Sequence, residues 1–231
     1  MYAPNVIVPI ICNNFFPRRG LDPCAPGLGG GPPPVFNEDR VASDMSQFHY
    51  VRLDAKRRAP RGARDWVVVL VLAADGKYSQ HSPDLRRLVA GVEAERPAKE
   101  HRLDELIVVA EDEFFGKKNL TDVVNACIGR QPGGPDPGGA SPFYSAYPYC
   151  RFAVVVPDHV SVPRHRVLDP EETRRVLDRE RRARADLPVV LSNDPAIVWC
   201  GGREGQVVEI TRDSQTACLA IYYRRIERGA I

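Results

Sequence analysis

Two alternating runs near the C-terminus constrain the fold more than any other part of this chain. From Gln206 to Thr211, Val208 and Ile210 fall on one side and Val207 and Glu209 on the other. After the polar break Arg212-Asp213-Ser214-Gln215, the residues Leu219, Ile221 and Tyr223 alternate again. Two period-two runs joined by a short polar loop predict a β-hairpin with apolar residues on both faces. Upstream, Asp194-Pro195 marks a turn or helix start, because proline fixes φ and lacks an N–H. Gly201, Gly202 and Gly205 punctuate the chain before the first strand, where tight or positive-φ backbone is easiest.

Residues 37–157 have a different rhythm. Trp66–Leu72 is continuously apolar and rich in β-branched side chains, which predicts a strand buried on both faces. Ser82-Pro83 supplies a cap and an N1 proline. Leu85, Leu88, Val89 and Val92 then follow at helical spacing, and Pro97 closes the helix. Leu106–Ala110 predicts a second strand, Leu120 to Ile128 a second helix and Phe152–Val156 a third strand. Alternation of strand and helix implies parallel pairing and an α/β layer structure. The run 131–142, QPGGPDPGGASP, reads as a loop insertion.

Residues 1–36 predict a loosely held Pro/Gly-rich tail, since 21–34 is nearly all glycine, proline and small side chains. A weak helix is expected over about 39–58, ending in the most basic cluster of the first half: Lys56, Arg57, Arg58, Arg61 and Arg64. In the C-terminal half, Asp169, Pro170 and Glu172 form a capping-box-like helix start. Val176 and Leu177 are that helix's only strong apolar anchors, so it is expected on the surface. Arg174, Arg175, Arg179, Arg181, Arg182 and Arg184 interleave with Asp178 and Glu180, and such a face is ordinarily just solvated.

Composition narrows the function classes. The net charge of +2 gives no global drive toward nucleic acid. The longest apolar run, 66–74, is too short to span a bilayer, and no signal peptide opens the chain. None of the six cysteines lies two to four residues from another, and no two histidines stand at i, i+4, so no zinc half-site is visible. Reduced thiols are the expectation. No cofactor is expected.

The residues Leu187-Pro188, Asp194-Pro195, Trp199, Gly201, Gly205-Gln206-Val207-Val208, Ile210, Arg212, Ser214, Thr216-Ala217 and Tyr223-Arg224 form an ordered pattern. It resembles the C-terminal domain of subunit five of the eukaryotic nuclear RNA polymerases, a family that has a short archaeal counterpart. Residues 162–172, VPRHRVLDPEE, resemble the segment preceding that domain. Glu204 and Glu209 depart from the pattern, standing where the family usually has basic residues; Cys218 replaces a glycine and Asp213 a frequent proline. The strand–helix order from Asp65 onward is similar to that of the family's N-terminal jaw, so the resemblance covers about 65–226.

The resemblance implies an α/β jaw with a nuclease-like three-layer sheet at 37–157 and a small α/β assembly domain with a C-terminal hairpin at 158–231. It also implies a non-catalytic polymerase subunit that binds the largest subunit for assembly and places its jaw beside downstream DNA, touching phosphates only. Interface candidates are Asp194, Pro195, Trp199, Gly205, Gln206, Val207, Arg212, Tyr222, Tyr223 and Arg224. DNA-proximal candidates are Lys56, Arg57, Arg58, Arg61 and Arg64. The expected location is the nucleus for a cellular version, and the virus factory or virion for a version from a large DNA virus. The alternatives are a free-standing interaction module or a metal-dependent nuclease. For the nuclease, Asp84 supplies a first carboxylate, but Asp75-Gly76-Lys77 lies in the wrong order and Glu111-Asp112-Glu113 leads to no lysine.

Overall fold

The computed structural model describes residues 3–26, 32, 35–61, 64–74, 83–95, 102–111, 114, 142–214 and 218–229. The chain divides into two units, Met1–Val154 and Val155–Ile231. Each contains helices and one sheet, so this is a mixed α/β protein with two sheets.

The first unit is built on β3 (Arg64–Leu72), which is buried from Asp65 to Leu72. It pairs parallel with β4 (Arg102–Ala110), and β4 pairs parallel with β5 (Phe143–Pro148). A strand apolar on both sides requires cover on both. On one side, Leu85, Val89 and Val92 of α4 (Pro83–Ala94) pack with Trp66, Val68, Leu70, Leu106 and Val108. The alternate set Val67, Val69, Val71, Ile107 and Val109 is fully buried as well. Two antiparallel strands, β1 (Leu21–Cys24) and β2 (Tyr50–Arg61), complete the order β1-β2-β3-β4-β5.

Three expectations need correction. First, residues 3–24 are not a loose tail. α1 (Pro4–Ile10) continues through a π-helical turn (Ile11–Phe15) into α2 (Phe16–Arg18), and β1 follows. Ile7, Val8, Ile11, Phe15 and Phe16 are fully buried, and α1 packs on β3. The Phe15 ring meets Phe152 edge-on at 5.0 Å between centroids. Second, α3 (Glu38–Phe48) stops ten residues earlier than expected. Its end, His49, is left-handed at φ 62°, and the chain turns into β2, where Val51, Leu53, Ala55 and Arg57 point inward at period two. The arginines and lysine of 52–58 mask this alternation in the sequence. Third, the last strand of the sheet is β5, not 152–156. Phe152 is instead a buried residue in a turn, and Val156–Asp158 is a short 3-10 turn. The predicted second helix, the insertion 131–142 up to residue 141, and Ser82 and Pro97 lie outside the described residues.

The first unit also buries charge. Arg57 Nε donates to Asp104 Oδ2 at 2.5 Å, and Arg57 NH2 donates to Glu105 Oε2 at 2.9 Å. Arg19, just after α2, donates to both oxygens of Glu105 at 3.1–3.3 Å. All four side chains are at most 6% exposed, two cations against two anions. A network of this kind is costly to open, because any one deletion strands a buried charge. On the α4 side, Asp54 accepts from Trp66 Nε1 at 2.9 Å and from Arg52, whose guanidinium also grips Glu95.

The second unit orders its strands β6-β8-β9-β7: β6 (Arg164–Val167), β7 (Val189–Leu191), β8 (Val207–Ser214) and β9 (Cys218–Glu227). β8 pairs antiparallel with β6 and β9, while β7 pairs parallel with β9.

Replacing Arg57 with leucine is expected to lower the stability of the chain by about 3–5 kcal/mol, the usual result of breaking a buried pair. Arg58→Ala, one residue along the same strand but at the surface, should leave the urea midpoint unchanged. Equal midpoints for the two variants would show that the Arg57 network contributes nothing.

Candidate subunit interface

The second unit follows from the two-sided hairpin. Val207 is buried on one face with Leu168, Val176 and Leu187, and Val208, Ile210 and Ile226 are buried on the other with Ile197. Val176 comes from α5 (Pro170–Glu180), and Ile197 from α6 (Pro195–Cys200). α5 begins with a complete capping box: Glu172 N donates to Asp169 Oδ1 at 2.7 Å, and Asp169 N donates to Glu172 Oε2 at 3.1 Å. α6 is capped by Asp194, which accepts from Ala196 N at 2.9 Å, and it ends at Gly201, left-handed at φ 74°.

The turn before β8 has two glycines with different reasons. Gly205 has φ +82°, and a Cβ there would meet nothing within 4 Å, so only its backbone conformation calls for glycine. Its N–H donates to Ile226 O at 2.9 Å, which ties the turn to β9. At Gly202 a Cβ would lie 2.5 Å from Ile226 Cδ1 and 2.8 Å from Ile197 Cγ2, so there it is space that is limiting.

The predicted interface residues separate into three groups. Trp199 and Val207 are fully buried within the unit, so they belong to its core and are not interface groups. An aromatic before glycine carries the same signal in either role. Asp194, Pro195, Gly205 and Gln206 shape the backbone: a cap, an N1 proline, a left-handed turn and a side chain that accepts from Arg203 N at 2.7 Å. Tyr223 is half-buried against the Val207 cluster; its hydroxyl accepts from Arg179 at 2.8 Å.

Arg212, Tyr222 and Arg224 are exposed. The register pairs Val208 with Arg224, Ile210 with Tyr222 and Arg212 with Ala220, so the hairpin brings these three side chains to one face. Sequence reasoning missed Leu219 and Ile221 as surface groups. They lie on the opposite face and are 59% and 55% exposed. The alternation was visible in the sequence, but it did not show where cover ends. α5 and α6 cover the base of the hairpin; the distal arm extends past β6, whose last pair is Arg164 with Thr211. β7 pairs only with Arg225–Glu227, so among the described residues no strand lies beside the outer edge of 218–224.

Of the DNA-proximal residues, Arg57 is withdrawn into the buried network of the first unit. Lys56 and Arg58 remain exposed, with Lys56 Nζ 3.6 Å from Asp65 and Arg58 donating to Asp22 at 2.7–2.8 Å. Arg64 is partly buried and donates to Leu103 O at 3.1 Å. Arg61 lies on β2, its side chain outside the described residues. Of the residues weighed for a nuclease, Asp84 lies 3.4 Å from Arg87 in the first turn of α4, and Asp75, Lys77, Asp112 and Glu113 fall outside the described residues.

Glu209, one of the departures from the resembled pattern, is held within the unit. It sits opposite Arg166 across β6 and β8, and Arg166 bridges it to Glu172 at 3.2 and 2.6 Å. The Arg166 guanidinium and the Asp169 N–H hold the Glu172 carboxyl below its ordinary range.

Residues 154–226 match the family described as RNA polymerase Rpb5, C-terminal domain, a span that falls on the second unit but for its first residue. A protein named DNA-directed RNA polymerase RPB5 homolog, from African swine fever virus, is 33% identical over 165 residues, 71% of this chain and 75% of that one. The archaeal DNA-directed RNA polymerase subunit Rpo5 of Thermococcus kodakarensis is 44% identical over 69 residues, 30% of this chain and 84% of its own. Rpo5 of Nitrosopumilus maritimus is 38% identical over 73 residues, 32% of this chain and 88% of its own. An α/β chain with that second unit is thus an accessory subunit of a DNA-directed RNA polymerase. It belongs to the Rpb5 family.

Two outcomes are expected from this geometry. Gly205→Val should lose about 1–3 kcal/mol through backbone strain alone; a chemical-denaturation midpoint equal to the parent's would contradict the turn. Glu172 has a folded pKa below its unfolded one, so its stabilisation is full above the unfolded value, about 4.3, and is lost as pH falls through the folded value. The acid side of the stability–pH profile should therefore flatten in Glu172→Gln, and an unchanged profile would exclude that carboxylate.

Proposed function

We propose that this chain is a non-catalytic assembly subunit whose second unit docks on the largest subunit of its polymerase through the distal hairpin. The observation that carries this is the placement of Arg212, Tyr222 and Arg224 on one face and Leu219 and Ile221 on the other, beside a strand edge that has no neighbouring strand among the described residues. Exposed apolar and aromatic groups gathered on a hairpin arm, beyond the part that α5 and α6 cover, suit a permanent interface. Tyrosine and arginine are also the side chains that most often carry interface affinity. The first unit serves as a jaw beside downstream DNA, with Lys56 and Arg58 meeting phosphates and reading no sequence.

The chain is further proposed to be the version carried by a large DNA virus, acting in the virus factory or virion. The match to the African swine fever virus protein extends over 165 residues, more than the second unit can hold, whereas the two archaeal matches cover 30% and 32% of the chain.

Tagged full-length chain, co-expressed with its polymerase subunits, should recover the largest subunit. Tyr222→Ala and Arg224→Glu should each weaken recovery by about 30-fold, the loss of one strong interface residue, while the unfolding midpoint stays that of the parent. Full recovery by the double variant would overturn the hairpin as the docking surface. For the jaw, a crosslinker at position 58 should reach downstream DNA in an elongation complex, and crosslinks to protein alone would overturn that role.

A further inference from the structure

Helix α5 carries a feature that docking on a largest subunit does not use. From Arg174 to Arg184 there are six arginines against two acids. The remaining acids of this helix, Glu171 and Glu172, lie in its first turn, so its charge is polarised along the axis. Thr173 and Val176 are buried and Leu177 partly so, which turns Arg174, Arg175 and Arg179 to the outer arc. All six arginines are exposed. Arg175 is paired with Glu171, Arg179 bonds Glu180 and Tyr223, and Arg184 donates to Gly205 O. Arg174, Arg181 and Arg182 have no side-chain partner among the described residues.

The helix end singles out Arg181. Arg181 N–H donates to Asp178 O at 3.3 Å and Arg182 N–H to Leu177 O at 3.1 Å, the two crossed bonds of a Schellman motif. In that motif the position of Arg181 is left-handed, here at φ 50° and ψ 43°, and glycine is its usual occupant. An arginine there holds an unfavourable backbone conformation with a side chain that bonds nothing in the described fold. Strain kept at an exposed cation points to a use for the cation.

We propose that the arginine ridge 174–184 is a phosphate-binding surface that holds the backbone of nucleic acid, independently of base sequence. This goes beyond the docking role above and does not require it, since Arg179 alone of the ridge touches the hairpin arm, at Tyr223, and Arg174, Arg181 and Arg182 bond none of it. The guanidinium groups of Arg174, Arg181 and Arg182, which bond no carboxylate among the described residues, suit bidentate pairing with phosphate oxygens, and three close together match a repeating polyanion. The partial negative charge of the α5 C-terminus is small beside six guanidinium groups. Near-zero net charge for the whole chain does not prevent this, because screening confines the relevant field to within about 10 Å of the ridge at 0.1 M salt.

The test uses the full chain and a short fluorescent DNA duplex, with Kd measured by anisotropy across a salt series. Wild type should bind at low ionic strength, with log Kd rising linearly in log salt. Arg174→Ala with Arg181→Gly and Arg182→Ala should lower that slope by about three, close to 0.9 for each phosphate no longer neutralised. Arg181→Gly alone should weaken binding while keeping or raising the unfolding midpoint, which separates charge from folding. Lys56→Ala with Arg58→Ala should leave the slope as it is. No binding by wild type, or an unchanged slope in the triple variant, would overturn the ridge. Tighter binding of polyglutamate than of duplex DNA at equal charge would overturn it in favour of an acidic protein segment. Recovery of the largest subunit, measured on the same variants, is expected to be unaffected, so failure of the ridge and failure of the assembly reading remain distinguishable.

Discussion

Val207 and Val208 are adjacent in sequence, point to opposite faces of one strand, and are both fully buried. That constraint organises the second unit, because a strand apolar on both sides must be covered twice. A unit this small has few elements to do so. α5 supplies Val176 to one face and α6 supplies Ile197 to the other. The capping box, the Asp194 cap and the left-handed Gly205 bring these short helices back onto the sheet. Beyond Ile210 that cover ends. Leaving Leu219, Ile221 and Tyr222 half or more exposed forgoes roughly half of the 1.5–3 kcal/mol that full burial of a large apolar side chain provides. A partner that covers the arm recovers it.

The first unit solves a different problem. Its sheet is thick with β-branched residues, yet at one end two arginines and two carboxylates are fully enclosed. Such a cluster adds little net stability over an apolar alternative, but it is intolerant of any change in register or docking. Here it joins the residue after α2 to β2 and β4, so the N-terminal segment has a defined place on the sheet. The same network explains why counting basic residues misleads. Arg57 is consumed inside the fold, Arg58 and Lys56 stay at the surface, and the basic cluster is smaller than its sequence implies.

Much of the fold is legible in the sequence. Continuous apolar runs locate β3 and β4, helical spacing locates α4, alternation locates the hairpin, and the Asp169–Glu172 pattern locates α5 with its cap. Each of these is a local signal read in a single window. The misses depend on tertiary context. α1 contains Pro9, and a glycine-rich run follows soon after, so the buried stripe Ile7, Ile11 and Phe15 of α1 and the π-helical turn looks like part of a tail. β2 alternates, but with arginine and lysine at alternate positions, and a charged strand interior to a sheet has no local signature. The sequence marks Trp199, Val207 and Tyr222 alike as interface candidates, while only the packing separates core from surface among them.

The assembly reading makes a demand on one short segment of backbone. In the free chain the outer edge of 218–224 has no neighbouring strand among the described residues, so its outward amides exchange with solvent. Hydrogen exchange followed in the free chain and in the assembled polymerase tests this directly. Strong protection of 218–224 on assembly, with little change in the already paired β8, is the predicted result. Exchange at 218–224 that is the same in both states would contradict docking through the hairpin arm.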